Sequence, residues 1–285
     1  MMMNTKGITC PLDGTLLIAE QGRLVCPNGH SFDLARQGYC HLLPVQEKRS
    51  ADPGDSKAMV NARSDFLDAG LYQPIAELMI EQLVHNIAAL DQVVIADAGC
   101  GEGYYLNALS QHLSKMEQSA RLIGFDISKW AVARACRRNR DITWLVASNR
   151  NPPIAPDYID TMLCMFGFPQ YPAFAKCIKP GGYLLMLDGG PAHLIELREH
   201  IYEQVNDTKP FNAEPALSAG FERVSETRLT VPKVEIPQHL LASLLLMTPH
   251  FFRASEAAKE ALLALPRISV TIDVECRVYQ LKAPD

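Results

Sequence analysis

One stretch of sequence decides the fold of this chain: Val93-Val94-Ile95-Ala96-Asp97-Ala98-Gly99-Cys100-Gly101-Glu102-Gly103. It begins as a run of β-branched and small apolar residues, which is typical of a buried strand in a parallel sheet. After Asp97, three glycines alternate at a spacing of two, and such a turn lets backbone amides approach a ligand closely. The spacing is G-x-G-x-G rather than the G-x-G-x-x-G of dinucleotide sites, which favours a ligand without a diphosphate.

Two further apolar runs downstream end in polar side chains. Residues 121–126 end in Asp126, and residues 142–149 end in Ser148 and Asn149. Because the carboxyl ends of parallel strands meet at one edge of a sheet, these side chains are predicted to share a ligand site. We expect Asp126 to accept the hydroxyls of a ribose and Asn149 to face an adenine edge.

The order of these elements resembles the class I methyltransferases, which bind S-adenosylmethionine. The glycine-containing run at residues 179–187 adds to the resemblance, because it is similar to the entry into the fifth strand of that fold. The resemblance implies an α/β fold with a Rossmann-like, doubly wound sheet. The alternative is an unrelated α/β domain whose glycines only form tight turns.

Composition limits the remaining choices. The chain has 285 residues, which is enough for one α/β domain and a smaller module, and its net charge is −5. No apolar stretch approaches the roughly 18 residues of a membrane span. Several of the eight cysteines lie in predicted strands or helices. We therefore expect a cytoplasmic protein with reduced thiols and no membrane association.

The first forty residues predict a small metal-binding module. Cys10 and Cys26 each begin a proline-containing turn, and Cys26 is followed by His30. Two facing turns of this kind typically hold a tetrahedral zinc ion. Asp13 occupies the position of a fourth cysteine, so the predicted ligands are Cys10, Asp13, Cys26 and His30, with Cys40 or His41 as substitutes for Asp13. The alternative is a hairpin that packs on the main domain without metal.

A turn-rich, exposed linker is predicted at residues 44–56, followed by helices at 57–69 and 74–90. The tail is predicted to contain a strand near 221–231, helices near 240–247 and 255–265, and a final strand near 268–281. We divide the chain into a module at 1–43, a linker with helices at 44–91, and a cofactor-binding domain at 92–285.

With these segments placed, the chain resembles the bacterial 23S rRNA guanine-N1 methyltransferases of the RrmA or RlmA type. The match is carried by Cys10-Pro11-Leu12, Cys26-Pro27, His30-x-Phe32-Asp33, Gly38-Tyr39, Leu42-Leu43-Pro44-Val45-Gln46, Lys48-Arg49-Ser50-x-Asp52-Pro53-Gly54-Asp55-Ser56, Phe66-Leu67-Asp68-Ala69-Gly70, Tyr72-Gln73-Pro74, Gly99-Cys100-Gly101-Glu102-Gly103-Tyr104-Tyr105, Lys179-Pro180-Gly181-Gly182, His193-Leu194-x-Glu196-Leu197 and Met247-Thr248-Pro249. The segment 42–74 is the most diagnostic part, because methyltransferases in general lack it.

The resemblance implies methyl transfer from S-adenosylmethionine to N1 of a guanine in a hairpin loop of 23S rRNA. It also implies that Tyr72, Gly101, Glu102 and His193 contact the cofactor. Together with the residues predicted from the strand ends, the cofactor-binding set is Tyr72, Asp97, Gly99, Gly101, Glu102, Asp126, Asn149 and His193. The predicted partner is 23S rRNA, and the sequence leaves a homodimer open.

The chain departs from the family at two places. Asp13 replaces a cysteine, which puts the zinc ion in question. Residues 165–170 replace a Tyr-Ala-Pro-like sequence, and there Phe166 or Phe168 is predicted either to stack on an extruded base or to pack in the core.

The sequence assigns no catalytic residue. Asp52 and Asp55 are candidates for the base that removes the guanine N1 proton, although an exposed turn is the alternative for either. Lys48, Arg49 and Arg63 are predicted phosphate contacts. Residues Arg134, Arg137, Arg138 and Arg140 form either a further phosphate contact or a solvated helix face.

Two other functions stay open at this point. The acidic net charge favours a methyltransferase that acts on a small molecule. The altered loop at residues 165–170 permits a protein that binds S-adenosylmethionine without turnover.

Overall fold

A computed structural model describes residues 3–48, 50–87, 90–205 and 211–283. Within them, the first half of the chain forms β1 (Ile18–Glu20), β2 (Arg23–Val25), β3 (Ser31–Asp33), β4 (Cys40–His41), α1 (Lys57–Asp68), α2 (Gln73–Ile87), β5 (Gln92–Ala98), α3 (Tyr104–Lys115), β6 (Ser119–Asp126) and α4 (Lys129–Arg138). The second half forms β7 (Thr143–Val146), β8 (Ile159–Met165), α5 (Tyr171–Cys177), β9 (Ile178–Gly189), α6 (Ile195–Ile201), α7 (Glu214–Ser218), β10 (Phe221–Pro237), α8 (Gln238–Leu246), α9 (Glu256–Leu263) and β11 (Arg267–Leu281).

The main sheet has eight strands in the order β10-β11-β9-β8-β5-β6-β7-β4. Strands β4 to β9 within it pair in parallel, and β10 and β11 form an antiparallel hairpin that adds to β9. The chain runs outward from β5 in both directions, so the strand order reverses at the carboxyl end of β5. Ligands of open α/β sheets bind at such a switch point. The predicted doubly wound sheet is confirmed.

The two faces of the sheet are covered differently. Successive side chains of a strand point to opposite faces, so Val93 and Ile95 pack beneath α1 to α4 and α8, whereas Ala96 and Ala98 pack on the other side. That second face is covered by α5, α7 and the N-terminal residues. Ile8, Leu24 and Leu42 lie in one apolar cluster with Phe125 and Phe174.

Strands β1, β2 and β3 form a separate antiparallel sheet, in which β1 and β2 form a hairpin. The chain then returns to the main sheet, where β4 pairs with β7, and Ile8 bridges Ile154. Residues on both sides of position 43 therefore share one core.

The segment 44–56 was predicted to be an exposed linker, and the structure shows it anchored on the start of α4. Trp130 Nε1 donates to Asp52 Oδ2 (2.7 Å), and Ser128 Oγ donates to the carbonyl of Asp55 (2.7 Å). Gly54 has φ +80°, and a Cβ there would lie 2.8 Å from Ile127 Cγ2, so only glycine fits this contact. In the described part of the chain, no helix is long and apolar enough to cross a membrane.

Candidate cofactor site and metal centre

The glycine turn lies at the carboxyl end of β5 with all three glycines in the left-handed region: φ is +81° at Gly99, +55° at Gly101 and +79° at Gly103. A Cβ on Gly99 or Gly101 would meet no atom within 3.6 Å, because the nearest atoms are Asn149 Nδ2 at 3.7 Å and Arg63 Nη1 at 3.9 Å. A Cβ on Gly103 would instead lie 2.7 Å from Trp144 Cη2. Gly99 and Gly101 therefore face open space that a ligand can enter, here called the cradle. Gly103 instead permits close packing against Trp144.

Asp126 ends β6 beside this turn, as predicted. Its carboxylate accepts hydrogen bonds from the backbone N–H of Gly101 (3.0 Å) and of Ser128 (2.8 Å). Burial raises the pKa of Asp126, while these two donors lower it. A carboxylate has about four acceptor positions. Two are used here, so the remaining lone pairs are free for the hydroxyls of a ligand.

Asp97 and Glu102 place two more carboxyl groups under the turn. Asp97 is 1% exposed, and its Oδ1 has no hydrogen-bond partner among the described residues. Burial, together with the charges of Asp126 and Glu102, raises the pKa of Asp97 to about 8. Glu102 is 2% exposed, and burial raises its pKa against the lowering effect of Arg63 and Arg138. An unpaired buried carboxyl group is costly unless a cationic ligand approaches it.

Arg63 lies inside this site rather than on an outer surface that meets phosphates. Its guanidinium forms an ion pair with Asp55 and lies opposite Gly101. Burial lowers the pKa of Arg63, but Asp55, Glu102 and Asp126 raise it more. The cradle therefore gathers more carboxyl groups than guanidinium groups, which suits a ligand with net positive charge.

Tyr72 and His193 meet across 121 residues of sequence at the far side of the cradle. Tyr72 Oη lies 3.1 Å from His193 Nε2, and both rings pack near Phe166, with centroid distances of 6.3 and 5.8 Å. Burial lowers the pKa of His193 to about 4, so its ring is neutral at pH 7, and burial also raises the pKa of Tyr72. Phe166 has φ +50°, a strained conformation for a residue with a large side chain, and such strain is common at functional sites.

Asn149 and Phe168 form the opposite rim. Asn149 Nδ2 donates to the carbonyl of Phe168 (3.2 Å) and is the atom nearest to the Cβ position of Gly99. The Phe168 side chain is 86% exposed and Phe166 is 38% exposed. The alternative that Phe168 packs in the core is therefore wrong. Asp126 and Asn149 thus lie beside Gly101 and Gly99, and Tyr72 and His193 lie together at Phe166, whereas Asp97 and Glu102 are buried at the glycine turn.

The four predicted metal ligands converge in the N-terminal module. Cys10 Sγ and Cys26 Sγ lie 3.5 and 3.4 Å from His30 Nδ1, which lies 3.0 Å from Asp13 Oδ2. A tetrahedral zinc ion with bonds of about 2.0–2.3 Å separates its ligand atoms by roughly 3.3–3.8 Å. The four ligand atoms all lie within 4.8 Å of one another and could therefore hold one zinc ion.

The surroundings of Asp13 hold its carboxylate in position for a metal. Thr15 donates to Oδ1 through its backbone N–H (3.0 Å) and its hydroxyl (2.7 Å), and Asn28 Nδ2 donates to Oδ2 (3.0 Å). These hydrogen bonds hold the pKa of Asp13 well below its usual range, so the group is ionised. Such outer contacts orient carboxylate ligands in metal sites.

The two substitutes considered for Asp13 are wrong. Cys40 and His41 lie in β4, outside the cluster of ligand atoms, and the Cys40 thiol faces the carbonyls of Phe32 and Asp33 (both 3.9 Å). Burial raises the pKa of Cys40 to about 12, which disfavours the thiolate that a metal requires.

The arginine cluster on α4 has a structural role for two of its members. Arg138 Nη1 pairs with Asp68 (2.6 Å), and both Arg134 and Arg138 donate to Ser64 Oγ (3.0 and 3.1 Å). Arg137 and Arg140 remain exposed. The interpretation as a wholly solvated face is therefore wrong for Arg134 and Arg138, which fix α4 to α1.

The two candidate bases, Asp52 and Asp55, also have partners within the protein. Asp52 accepts from Trp130 and pairs with Lys129 (3.0 Å), and Asp55 pairs with Arg63. Neither is a simple exposed turn. Sequence reasoning missed Asp273, whose buried carboxylate contacts the loop that carries His193. Its position between Ile272 and Val274 in an apolar strand was the available signal.

We expect a cationic ligand in this cradle to release a proton from Asp97. The carboxyl group is mostly protonated at pH 7, because its pKa is about 8 in the unliganded protein. A cation favours the ionised form, so affinity should rise with pH up to about 8 and then level off. Calorimetry of S-adenosylmethionine binding at pH 7, in two buffers of different ionisation enthalpy, measures the released proton. Asp97→Asn should abolish the release, and a wild-type protein that releases none would contradict this assignment.

Comparisons with known proteins agree with this geometry. Residues 8–51 match the zinc-ribbon family described as "RlmA, N-terminal", and residues 95–182 match a methyltransferase domain family. The chain is 32% identical over 224 residues to the 23S rRNA (guanine(748)-N(1))-methyltransferase of Streptomyces fradiae, covering 78% of each chain. It is 29% identical over 273 residues to YxjB of Bacillus subtilis (strain 168), covering 93% of this chain and 94% of YxjB.

Among solved structures, the fold resembles a "putative methyltransferase" from Bacillus halodurans C-125. The TM-score is 0.51 at 14% identity, over 72% of this chain and 99% of the other. The glycine turn, the shape of the sheet and the N-terminal ribbon thus coincide with the matches to known families. The chain belongs to the RlmA-type family of 23S rRNA guanine-N1 methyltransferases, in which a zinc ribbon precedes an S-adenosylmethionine-dependent methyltransferase domain.

Proposed function

We propose that this protein transfers the methyl group of S-adenosylmethionine to N1 of a guanine in a hairpin loop of 23S rRNA. The observation that carries the proposal is the contact between the ribbon and the loop after β7, which also carries Asn149. Asn151 Nδ2 lies 3.5 Å from the carbonyl of Pro11 in the ribbon and 3.3 Å from Glu47 Oε1 in the following segment. An RNA that touches the ribbon therefore lies beside the cleft.

The cradle fits S-adenosylmethionine in shape and in charge. The cofactor carries a sulfonium, an ammonium and a carboxylate, so its net charge is positive. Asp126 would hold the ribose hydroxyls, and Asn149 would face the adenine. Asp97 and Glu102 would meet the positive groups, since both carboxyl groups are buried beside the open side of Gly99 and Gly101.

When bound, the cofactor supplies an electrophilic methyl group on sulfur. The residues of this chain then have to hold the acceptor nitrogen in line with that methyl group and exclude water. Phe166, Tyr72 and Tyr105 form an aromatic wall suited to this task. The ring centroid of Phe166 lies 6.3 Å from that of Tyr72 and 6.4 Å from that of Tyr105.

Phe168 is the proposed stacking surface for an extruded base. It has a large exposed ring at the rim, next to Asn149. Stacking on an aromatic side chain contributes about 1–3 kcal/mol per base, which offsets the cost of extrusion.

We propose that residues 1–43 read the RNA, that residues 44–91 connect and close the cleft, and that residues 92–285 bind the cofactor. Lys48 lies close enough to His41 in β4 for its charge to add to the effect of burial in lowering the pKa of that histidine. Arg49, the second predicted phosphate contact, lies outside the described residues. A homodimer and a cytoplasmic location stay predictions.

The test is methylation of 23S rRNA that lacks N1-methylguanine, with tritiated cofactor and nucleoside analysis. We expect label in N1-methylguanine. Label on a small molecule, or tight cofactor binding without any transfer, would overturn the proposal in favour of one of the two alternatives.

We expect Lys48→Glu to weaken binding of the same RNA. The slope of log affinity against log salt concentration should fall by about one, because one phosphate contact is lost. The matched control is Lys282→Glu, an exposed lysine after β11 at the opposite edge of the sheet. Filter binding across a salt series measures both. Equal effects of the two variants would contradict a specific role for Lys48. Deletion of the ribbon is less informative, because Ile8 and β4 belong to the shared core.

A further inference from the structure

Asp273 joins the C-terminal hairpin to the loop that carries His193. Its carboxylate is fully buried and receives four hydrogen bonds. Arg228 donates through Nε (2.7 Å) and Nη2 (2.8 Å), Thr230 Oγ1 donates at 3.1 Å, and the backbone N–H of Ala192 donates at 2.8 Å. All four groups act as donors, so the site requires a carboxylate with two acceptor oxygens.

The main chain around Asp273 is tied to the same loop. Gly190 N donates to the carbonyl of Asp273 (2.8 Å), and Leu194 N donates to the carbonyl of Thr271 (2.8 Å). A Cβ at Gly190 would lie 2.5 Å from Asp273 Oδ2, so the loop approaches the carboxylate as closely as the chain allows. The position of residues 190–194 is therefore set by β11.

The hydrogen-bond pattern determines which nitrogen of His193 carries the proton. The backbone N–H of Asp273 donates to His193 Nδ1 (3.3 Å), so this nitrogen is the acceptor. In a neutral imidazole the other nitrogen then bears the hydrogen. His193 Nε2–H donates to Tyr72 Oη at 3.1 Å. The hydroxyl hydrogen of Tyr72 consequently does not point at His193 and is available to another acceptor.

We propose that Asp273, held by Arg228, is a positioning residue that fixes the Nε2–H tautomer of His193 and so makes Tyr72 a hydrogen-bond donor to the carboxylate of the bound cofactor. This inference rests on the proposed cofactor site, but it makes no use of the RNA substrate. It assigns the C-terminal hairpin a role in cofactor binding, although that hairpin lies outside the matched methyltransferase domain at residues 95–182.

The first test is the tautomer of His193, read from the ¹⁵N chemical shifts of the full-length, unliganded protein. We expect the Nε2–H form in the wild type. In Asp273→Asn the amide offers one acceptor oxygen to donors that need two, so the loop should shift and the Nδ1–H form should appear. The control is Glu226→Gln, which removes an ion pair with Arg277 (2.8 Å) in the same hairpin but does not touch residues 190–194.

The second test is a double-mutant cycle on S-adenosylmethionine affinity, measured by calorimetry. Tyr72→Phe should weaken binding by about tenfold, because it removes the hydrogen bond to the charged carboxylate. Asp273→Asn should weaken it by a similar factor, because the Nδ1–H tautomer of His193 leaves Nε2 to accept from the Tyr72 hydroxyl. The double variant should be no weaker than either single variant, because both changes remove the same contact. A residue that only stabilised the fold would lower the melting temperature and give additive effects.

Two results would overturn the proposal: an Asp273→Asn protein that keeps both the Nε2–H form and wild-type affinity, or additive losses in the cycle. If Asp273→Asn does not fold, Arg228→Gln replaces it, because Arg228 is half exposed and its loss is milder. A wild-type protein that binds the cofactor but leaves 23S rRNA unmethylated would end the proposed function and leave this inference standing.

Discussion

The His30→Ala variant should purify with less than a tenth of an equivalent of zinc, whereas the wild-type protein should carry about one equivalent. His30 Nδ1 lies within 3.5 Å of ligand atoms from Cys10, Cys26 and Asp13, so its removal opens one corner of the tetrahedron. Structural zinc contributes roughly 10–16 kcal/mol in small peptides at neutral pH. We therefore expect the three short strands of the ribbon to lose their order, with the main sheet intact.

Elemental analysis after purification without added metal measures the zinc content, and near-ultraviolet circular dichroism follows the fold. Asp13→Ala should lose the metal as well, whereas Asp13→Cys should keep it and bind it more tightly, because a thiolate is the softer ligand. His41→Ala is the matched control, since this histidine lies outside the cluster. A wild-type protein that holds less than a tenth of an equivalent, yet unfolds cooperatively, would show that the ribbon is stable without metal.

The strand ends of the main sheet were predictable because buried parallel strands leave a strong pattern. Asp97, Asp126 and Asn149 lie around the glycine turn, because each stands at or just after the carboxyl end of a buried parallel strand. The C-terminal hairpin was less clear. The strand predicted near 221–231 is too short, because β10 continues to Pro237 after a bulge at Lys233, which has φ +59°.

The contacts between distant segments could not be predicted in the same way. Tyr72 lies between α1 and α2 and His193 lies between β9 and α6, and no local pattern reports that the fold brings these two loops together. Arg63 was predicted to be a surface cation that contacts phosphate. The sequence does not report its ion pair with Asp55, because this pair forms only when the segment 44–56 lies on α4. Local propensity determines the elements, whereas the partners of charged side chains depend on packing.

Removal of the Asp126 carboxylate should have the largest effect on the cofactor. We expect Asp126→Ala to weaken S-adenosylmethionine binding by about 1–3 kcal/mol, or roughly 5- to 150-fold, because a charged acceptor of hydrogen bonds is lost. The change also leaves the N–H groups of Gly101 and Ser128 without their acceptor, so the glycine turn should relax. Asp126→Asn keeps one acceptor oxygen, so its affinity for the cofactor should lie between those of the wild type and Asp126→Ala.

Calorimetry with S-adenosylmethionine and with S-adenosylhomocysteine separates the two contributions of the cradle. Both ligands have the same ribose, so Asp126→Ala should weaken the binding of both. Asp97→Asn should weaken the binding of S-adenosylmethionine more, because S-adenosylhomocysteine lacks the sulfonium charge. Asp65→Ala is the control, since Asp65 is an exposed carboxylate on α1. Equal affinity of wild type and Asp126→Ala for both ligands would place the ribose elsewhere. A loss confined to S-adenosylmethionine would mean that Asp126 acts through its charge rather than through the ribose hydroxyls.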